Sequence, residues 1–179
     1  WRYSAGCLFG GKLVDMAKEK KVIAVLSVSA GVGHLRAAEA IKQAGEDNFS
    51  GVEIHHIDIM DLAWKIFRKV YCDYSFKLVE RHPGLWGFLY DKTDSLKDSK
   101  LRGLRGFLQR ISTRKLRKKL KQLQPDHIIC THFLAAELVS RMIGNGKYHV
   151  PCWVQVTDFD LHAWWVQPNM SGYFAASDE

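Results

Sequence analysis

The stretch that decides the fold runs from Lys21 to Ile41 and reads KVIAVLSVSAGVGHLRAAEAI. Its apolar, β-branched run, Val22 to Leu26, is typical of a buried parallel strand, and the Ala-rich segment from about His34 is typical of an amphipathic helix. A loop of small residues joins the two. Such loops direct free backbone N–H groups and the positive end of a helix at a phosphate-bearing or otherwise polar ligand, so we expect the functional site to start here.

His34 makes this loop a candidate for catalysis as well as for binding. The residue lies in the first turn of the predicted helix, where the helix dipole opposes protonation of the imidazole. The neutral, proton-accepting form of the ring is therefore favoured. The alternative is a solvated or capping histidine, and we favour a functional one because the other polar motifs agree with it.

The composition is that of one globular domain. Of the 179 residues, 47% are apolar and 25% are charged, a balance that argues against disorder. No apolar run approaches the ~20 residues that span a bilayer, and the N-terminal region is too short and too polar for a signal peptide. We expect a cytoplasmic protein, with residues 21–179 as the domain and residues 1–20 as a segment left by trimming or fusion, since the chain begins at Trp1 rather than Met.

Strand and helix patterns alternate along the chain. We predict helices at 34–44, from 61 or 62 to 79, and at 133–143, and strands at 22–26, 52–57, 126–130, 152–156 and 172–175. This alternation predicts right-handed βαβ units and a doubly wound parallel sheet, the Rossmann-like α/β class. Ser177, followed by two acids, is typical of a helix start. Because no helix follows it, we expect one half of a larger protein.

Polar side chains gather where the predicted strands end, which is the edge of a parallel sheet that binds ligands. The candidate residues there are Ser29, Gly31, Gly33, His34, Asp61, Thr131, His132, Asp158, Asp160 and His162. A carboxylate beside an imidazole can either accept a proton or fix the tautomer, so Asp61 is a rival base to His34. An ordinary N-cap of the second helix is the alternative for Asp61. For Asp158, Asp160 and His162, contact with a ligand and shaping of a cleft between domains both stay open.

Two cofactor classes fit the sequence poorly. Gly31 and Gly33 supply the first two glycines of a dinucleotide-binding loop, but Arg36 stands at the third position, where a long side chain blocks close packing of helix on strand. Asp58, at the end of the second predicted strand, has the position of the acid that binds the ribose in dinucleotide-binding domains. A nicotinamide-binding domain therefore remains an alternative. The four cysteines lack metal-ligand spacing, and we predict reduced thiols and no metal site.

The net charge of +7 comes from one segment of the chain. Residues 100–121 hold ten Lys or Arg and no acid, so the rest of the chain carries a net charge of −3. Leucines at helical spacing among these cations are typical of helices that lie on an anionic bilayer. The candidate membrane-binding residues are Trp86, Phe88, Tyr90, Arg102, Arg105, Arg110, Arg114, Lys115, Arg117, Lys118 and Lys119.

Each part of this membrane interpretation has an alternative. The aromatic residues upstream of the cations can equally form a plug of the core, and a charge run is often a merely solvated face. Nucleic-acid binding is the runner-up function, because Lys and Arg clusters with nearby aromatics also suit a phosphate backbone. It does not explain the polar edge of the sheet, so we expect no nucleic-acid partner.

Four motifs together resemble a known family. In order, they are Ser29-Ala-Gly-Val-Gly-His34 with Arg36-Ala-Ala-Glu-Ala40, His82-Pro-x-Leu-Trp-x-x-x-Tyr90, Pro125-Asp-x-Ile-Ile-x-Thr-His132, and Thr157-Asp-Phe-Asp-x-His162 ahead of Tyr173. This series is similar to the amino-terminal domain of the monogalactosyldiacylglycerol synthase family. That family includes the bacterial processive diacylglycerol glucosyltransferases and is related to the peptidoglycan glycosyltransferase MurG.

The resemblance implies a two-domain glycosyltransferase of the GT-B type, with a lipid acceptor in the amino-terminal half and a UDP-sugar in the other. This chain would be the diacylglycerol-binding half of an inverting, metal-independent enzyme on the inner face of the cell membrane. Without the donor half we expect it to be inactive and to hold no cofactor. The resemblance gives His34 the role of base, or of the group that orients the base. The Ser-Ala-Gly-Val-Gly-His loop departs from the glycine run of plant-type members, which leaves the substrate open.

Overall fold

The computed structural model of the protein describes residues 20–29, 31–62, 114–158 and 163–176. These residues form a parallel sheet with helices on both faces. The strands are β1 (Lys21–Ser27), β2 (Val52–Asp58), β3 (His127–Cys130), β4 (Cys152–Gln155) and β5 (Gly172–Phe174). The helices are α1 (Val32–Asn48), α2 (Ile59–Leu62), α3 (114–123) and α4 (Phe133–Gly144). The predicted Rossmann-like α/β class is confirmed.

The strand order determines where the predicted ligand-binding edge of the sheet has a crevice. The five strands of the described part lie in the order β2-β1-β3-β4-β5, and every pair is parallel. The chain therefore leaves β1 toward one side of the sheet for β2 and returns on the other side for β3. At such a switch point the loops after the two strands diverge and leave a crevice beyond their carboxyl ends. The crevice here lies between the loops that follow Ser27 and Cys130.

Strand β1 is buried from Ala24 to Ser27 because both of its faces are covered. Ala24 and Leu26 belong to the larger core cluster, on the side of α3 and α4. Val25 belongs to the smaller cluster on the opposite face, with Ala38 of α1 and Ile54 of β2. All three β1 residues are completely buried. Strand β1, which lies between β2 and β3, thus fixes the start of the site loop firmly.

Helix α1 runs four residues beyond its predicted end. Gly45 follows the predicted end, Ala44, and glycine commonly marks a helix terminus. Here it is a packing residue instead, because a Cβ at this position would overlap Cδ1 of Ile54. The helix ends at Asn48, where the backbone N–H of Phe49 donates to the carbonyl of Gly45.

The leucines of α3 correct one part of the membrane interpretation. Leu116 and Leu120 are completely buried and pack in the core with Ile128 of β3. The prediction that these leucines face a bilayer was therefore wrong, because the sheet covers them. The cations around them point outward: Arg114, Lys115, Lys118 and Lys119 are exposed, and Arg117 is half-buried. Residues 86–110, with the other membrane candidates, lie outside the described part.

The second helix starts earlier than predicted. Asp58 caps it, since the Oδ1 atom of Asp58 accepts a hydrogen bond of 2.9 Å from the backbone N–H of Met60. Helix α2 therefore begins at Ile59, and its predicted continuation to residue 79 lies outside the described residues. Within the part of the chain that the structure describes, no helix is long and apolar enough to cross a membrane.

Candidate functional site

The loops after β1, β3 and β4 bring together five polar side chains at the predicted edge. His34 lies in the first turn of α1 and is half-buried. Thr131 and His132 follow β3, and Thr157 and Asp158 follow β4. Residues from three different strand ends thus surround one imidazole.

Thr131 holds His34 at two points. The Nδ1 atom of His34 lies 3.0 Å from the backbone carbonyl oxygen of Thr131, and the hydroxyl of Thr131 donates to the backbone carbonyl of His34 over 2.9 Å. A carbonyl oxygen can only accept, so Nδ1 carries the ring proton. The lone pair of the neutral imidazole is therefore on Nε2. Thr131 itself is completely buried, which makes it a rigid anchor.

The Nε2 edge of His34 faces Gly31. A Cβ placed on Gly31 would lie 3.5 Å from Cδ2 and 3.9 Å from Nε2 of the imidazole. These are ordinary contact distances, so the glycine is not required by a clash. What the missing side chain provides is room beside the proton-accepting nitrogen.

Burial is the largest influence on the charge of His34. It lowers the pKa of the imidazole, while the hydrogen bond to the carbonyl of Thr131 and the carboxylate of Asp158 raise that pKa in part. The neutral form favoured by the sequence is therefore the form that the structure favours. The main cause is desolvation rather than the helix dipole alone.

His132 is the N-cap of α4. Its Nδ1 atom accepts a hydrogen bond of 3.0 Å from the backbone N–H of Leu134, so the ring proton of the neutral form is on Nε2. The residue is only 3% exposed. Burial holds the pKa of His132 well below its usual range, and the neighbouring His34 lowers it further. The sequence pointed to this residue as a ligand-binding group, and the structure gives it a capping role.

Asp158 is fixed by a tryptophan that the sequence did not single out. The Oδ2 atom of Asp158 accepts a hydrogen bond of 2.7 Å from the indole Nε1–H of Trp165. Trp165 is completely buried, and its ring centroid lies 6.2 Å from that of His34. Nothing in the spacing of the sequence links Trp165 to the site, because the contact between Trp165 and Asp158 forms only in the folded protein.

Thr157 is a second residue that the sequence analysis missed. Its Oγ1 atom lies 2.7 Å from Nδ1 of His34. Thr157 is part of the Thr-Asp-Phe-Asp motif, which could have identified it. The charged residues of that motif were chosen as candidates instead. The two other candidates of this loop, Asp160 and His162, lie outside the described residues.

The loop after β1 is tied to the end of β2. The backbone N–H of Ser29 donates to Oδ1 of Asp58 over 3.2 Å, and the same oxygen caps α2. The sequence offered Asp61 as a possible N-cap of this helix, and that alternative was wrong because Asp58 is the cap. Asp61 is exposed on α2, and Gly33 is exposed in the first turn of α1.

The described residues offer no cluster for a metal ion. Among them, no three His, Cys, Asp or Glu side chains converge as metal ligands would. The thiols of Cys130 and Cys152, on neighbouring strands, are free and lie 3.7 Å apart in the core. Burial raises the pKa of the Cys130 thiol well above its usual value, which suits an inert structural cysteine.

Comparison with known proteins now adds to this geometry. The sequence model of the family described as "Monogalactosyldiacylglycerol (MGDG) synthase" matches residues 34–179, so the match begins at the site histidine. The chain belongs to the monogalactosyldiacylglycerol synthase family. The resemblance drawn from the four motifs is confirmed, and the family is one of glycolipid glycosyltransferases of the GT-B type.

Two curated relatives agree with the family match. The chain is similar to the processive diacylglycerol beta-glucosyltransferase of Staphylococcus haemolyticus (strain JCSC1435), with 23% identity over 166 residues. It is also similar to the protein of the same description from Staphylococcus aureus (strain MRSA252), with 22% identity over 166 residues. Each match covers 92% of this chain and 40% of the relative. This member of the family thus spans about two-fifths of the length of the curated relatives it matches.

Proposed function

We propose that this chain is the acceptor-binding half of an inverting diacylglycerol glycosyltransferase that uses a UDP-sugar, and that His34 is its base. One observation carries the assignment: the Thr131 carbonyl holds Nδ1 of His34, so the lone pair is on Nε2 beside Gly31. The lowered pKa keeps this nitrogen ready to accept a proton at neutral pH. The family match and both relatives support the reaction class.

The proposed step is a single displacement. The acceptor hydroxyl donates a hydrogen bond to Nε2, and its oxygen attacks the anomeric carbon of the sugar as the proton passes to the ring. The bond from the anomeric carbon to the diphosphate oxygen breaks, and UDP leaves with the electron pair. The resulting imidazolium is stabilised by the carboxylate of Asp158 and by the carbonyl of Thr131, the two groups that raise the pKa of His34.

Replacement of His34 tests the assignment. In the full-length protein, with UDP-glucose and dioleoylglycerol in vesicles, H34A should lower kcat by about 10² to 10⁴-fold, the usual contribution of a general base. His149 is exposed on the loop before β4, and H149A should leave kcat unchanged. An H34A protein with the turnover of the wild type would end the proposal.

Asp61 remains the rival base. Asp61 is exposed on α2, and the loops after β3 and β4 hold His34 in place. The fixed position and the lowered pKa of His34 both suit a general base. D61N should therefore retain most of the turnover that H34A loses. If D61N instead abolished turnover and H34A did not, the base would be Asp61.

We also propose that α3 attaches the protein to anionic lipid at the surface of the cell membrane. Its outward face carries Arg114, Lys115, Lys118 and Lys119, which are exposed. Each cation near an anionic headgroup layer contributes about 1 kcal/mol of attraction. Because Leu116 and Leu120 are buried, this attachment would be electrostatic and would involve no insertion of α3.

A further inference from the structure

Thr157 and the Thr131 carbonyl approach the same ring nitrogen of His34. The Oγ1 atom of Thr157 lies 2.7 Å from Nδ1, and the carbonyl oxygen of Thr131 lies 3.0 Å from it. We propose that Thr157 is a positioning residue that shares the Nδ1 proton of His34 with this carbonyl and so fixes the tautomer whose lone pair is on Nε2. The inference rests on the proposed function, in which Nε2 accepts the proton of the acceptor.

The direction of the Thr157 hydrogen bond follows from its competitor. A hydroxyl can donate or accept, but the carbonyl oxygen of Thr131 has no proton to give. The proton between these groups therefore belongs to Nδ1, and Thr157 Oγ1 accepts it as the second partner of a three-centre hydrogen bond. In the other tautomer the lone pair of Nδ1 would face the carbonyl lone pairs at 3.0 Å, which is repulsive.

The two acceptors also fix the orientation of the ring. A flip of the imidazole about the Cβ–Cγ bond would exchange Nδ1 with the Cδ2 carbon, and both hydrogen bonds would be lost. The anchors come from the ends of different strands, Thr131 from β3 and Thr157 from β4, while His34 itself follows β1. A ring held from two sides keeps its Nε2 aimed at the space beside Gly31.

The position of Thr157 is itself secured by its neighbour. Asp158 accepts from the indole of Trp165 over 2.7 Å, and Trp165 is completely buried. Rigid support from residues behind the reacting group is a general requirement for accurate placement of a base. The loop after β4 therefore contributes a fixed hydroxyl rather than a mobile one.

Two substitutions at Thr157 separate the hydroxyl from the volume of the side chain. T157V keeps the shape and removes the oxygen, whereas T157S keeps the oxygen and removes a methyl group. The tautomer of His34 can be read directly from the ¹⁵N chemical shifts of the imidazole in the histidine-labelled full-length protein, with H34N identifying the signals. We expect the wild type and T157S to show the Nδ1–H form and T157V to show a larger share of the Nε2–H form.

Turnover of the same variants provides the second measurement. With UDP-glucose and dioleoylglycerol vesicles, T157V should lower kcat about tenfold, the effect of one lost hydrogen bond, and should leave KM unchanged. T157S should restore kcat. A T157V protein with the tautomer ratio of the wild type would overturn the positioning role, even if its turnover fell. The same conclusion would follow if T157S behaved like T157V.

One outcome separates this inference from the proposed function. If T157V changed the tautomer of His34 and H34A left turnover intact, Thr157 would still position the ring, and the assignment of His34 as the base would be wrong. If H34A abolished turnover and T157V changed nothing, His34 would remain the base and the role of Thr157 would be refuted.

Discussion

The rings of His34 and His132 meet edge to face, with their centroids 4.3 Å apart. Burial lowers the pKa of both residues, and the proximity of His34 lowers that of His132 further. His132 uses its Nδ1 atom to cap α4 and is almost completely buried. The two residues of the pair therefore differ: His132 is a neutral structural group, and His34 is the proposed base.

This pair makes the stability of the fold depend on pH. An unfolded histidine has its pKa at its usual value, 6.5, whereas in the folded protein the pKa of both residues is lower. Below 6.5 the unfolded chain binds more protons than the folded one, so the free energy of unfolding falls as the pH falls. Above 6.5 this contribution to stability is fully present. Urea unfolding measured between pH 7.5 and pH 5, a range around the unfolded pKa, should show the decrease.

H132N isolates the contribution of His132. An asparagine oxygen can accept from the N–H of Leu134 and keeps the cap, but it does not titrate. The decrease in stability toward pH 5 should be smaller in H132N than in the wild type, whose His132 has the more strongly lowered pKa. The exposed His149 provides the control, and H149N should keep the pH dependence of the wild type. An H132N protein with an unchanged pH dependence would contradict a buried, neutral His132.

A methyl group at Gly31 should impair the reaction without harming the fold. Gly31 has an extended backbone, with φ of −176°, that any residue can adopt, and its Cβ would make only ordinary contacts with the ring of His34. In the proposed reaction, the same methyl would occupy space from which the acceptor hydroxyl approaches Nε2. We expect G31A to lower kcat about tenfold or more, since a small misplacement of reacting groups is costly. The melting temperature should not change.

Gly51 offers the matched control for this test. It lies in the turn before β2, and a Cβ there would meet nothing within 4 Å. G51A should therefore retain both turnover and stability. Full turnover in G31A would show that the acceptor does not approach past this glycine.

The core position of Leu120 in α3 is open to a direct measurement. The residue is completely buried in the larger core cluster, so L120A should lower the free energy of unfolding by about 3 kcal/mol. Lys119, its exposed neighbour, is the control, and K119A should change stability by less than about 0.5 kcal/mol. If L120A left the stability unchanged but weakened vesicle binding, Leu120 would contact lipid rather than the core.

The fold and the edge at which the candidate site residues meet could be predicted because both follow from local patterns. The run Val22 to Leu26 must be buried on both faces, and an Ala-rich helix directly after it leaves few arrangements besides a parallel sheet. Parallel strands end at one edge, so the polar residues after β1, β3 and β4 had to meet there. For the same reason His34 and Thr131 could be assigned to one site without coordinates.

Contacts that depend on tertiary packing could not be predicted in this way. The hydrogen bond between Thr157 and His34 joins residues 123 positions apart, and sequence spacing carries no information about it. The amphipathic pattern around Leu116 and Leu120 has the same period whether a bilayer or a sheet covers the apolar side. The end of α1 could not be predicted for the same reason. Only the proximity of Ile54 shows that Gly45 is a packing glycine rather than one that ends the helix.

Substitution of the exposed lysines of α3 tests whether this helix attaches the protein to a membrane. Lys115, Lys118 and Lys119 are exposed on α3, whereas Leu116 and Leu120 are buried. At about 1 kcal/mol each, their removal in K115Q/K118Q/K119Q should weaken binding to phosphatidylglycerol vesicles roughly a hundredfold. Sedimentation with these vesicles measures the loss, and vesicles of phosphatidylcholine should bind neither protein.

A variant with the same change in net charge makes this test specific. Lys20, Lys42 and Lys147 lie outside α3, and K20Q/K42Q/K147Q should keep most of the vesicle binding. Rising salt should weaken the binding of the wild type, since exposed charges are screened. An equal loss in both triple variants would attribute the attraction to total charge rather than to α3. Tight, salt-dependent binding to duplex DNA together with indifference to vesicles would replace the membrane by nucleic acid as the partner of this surface, because a phosphate backbone attracts the same cations.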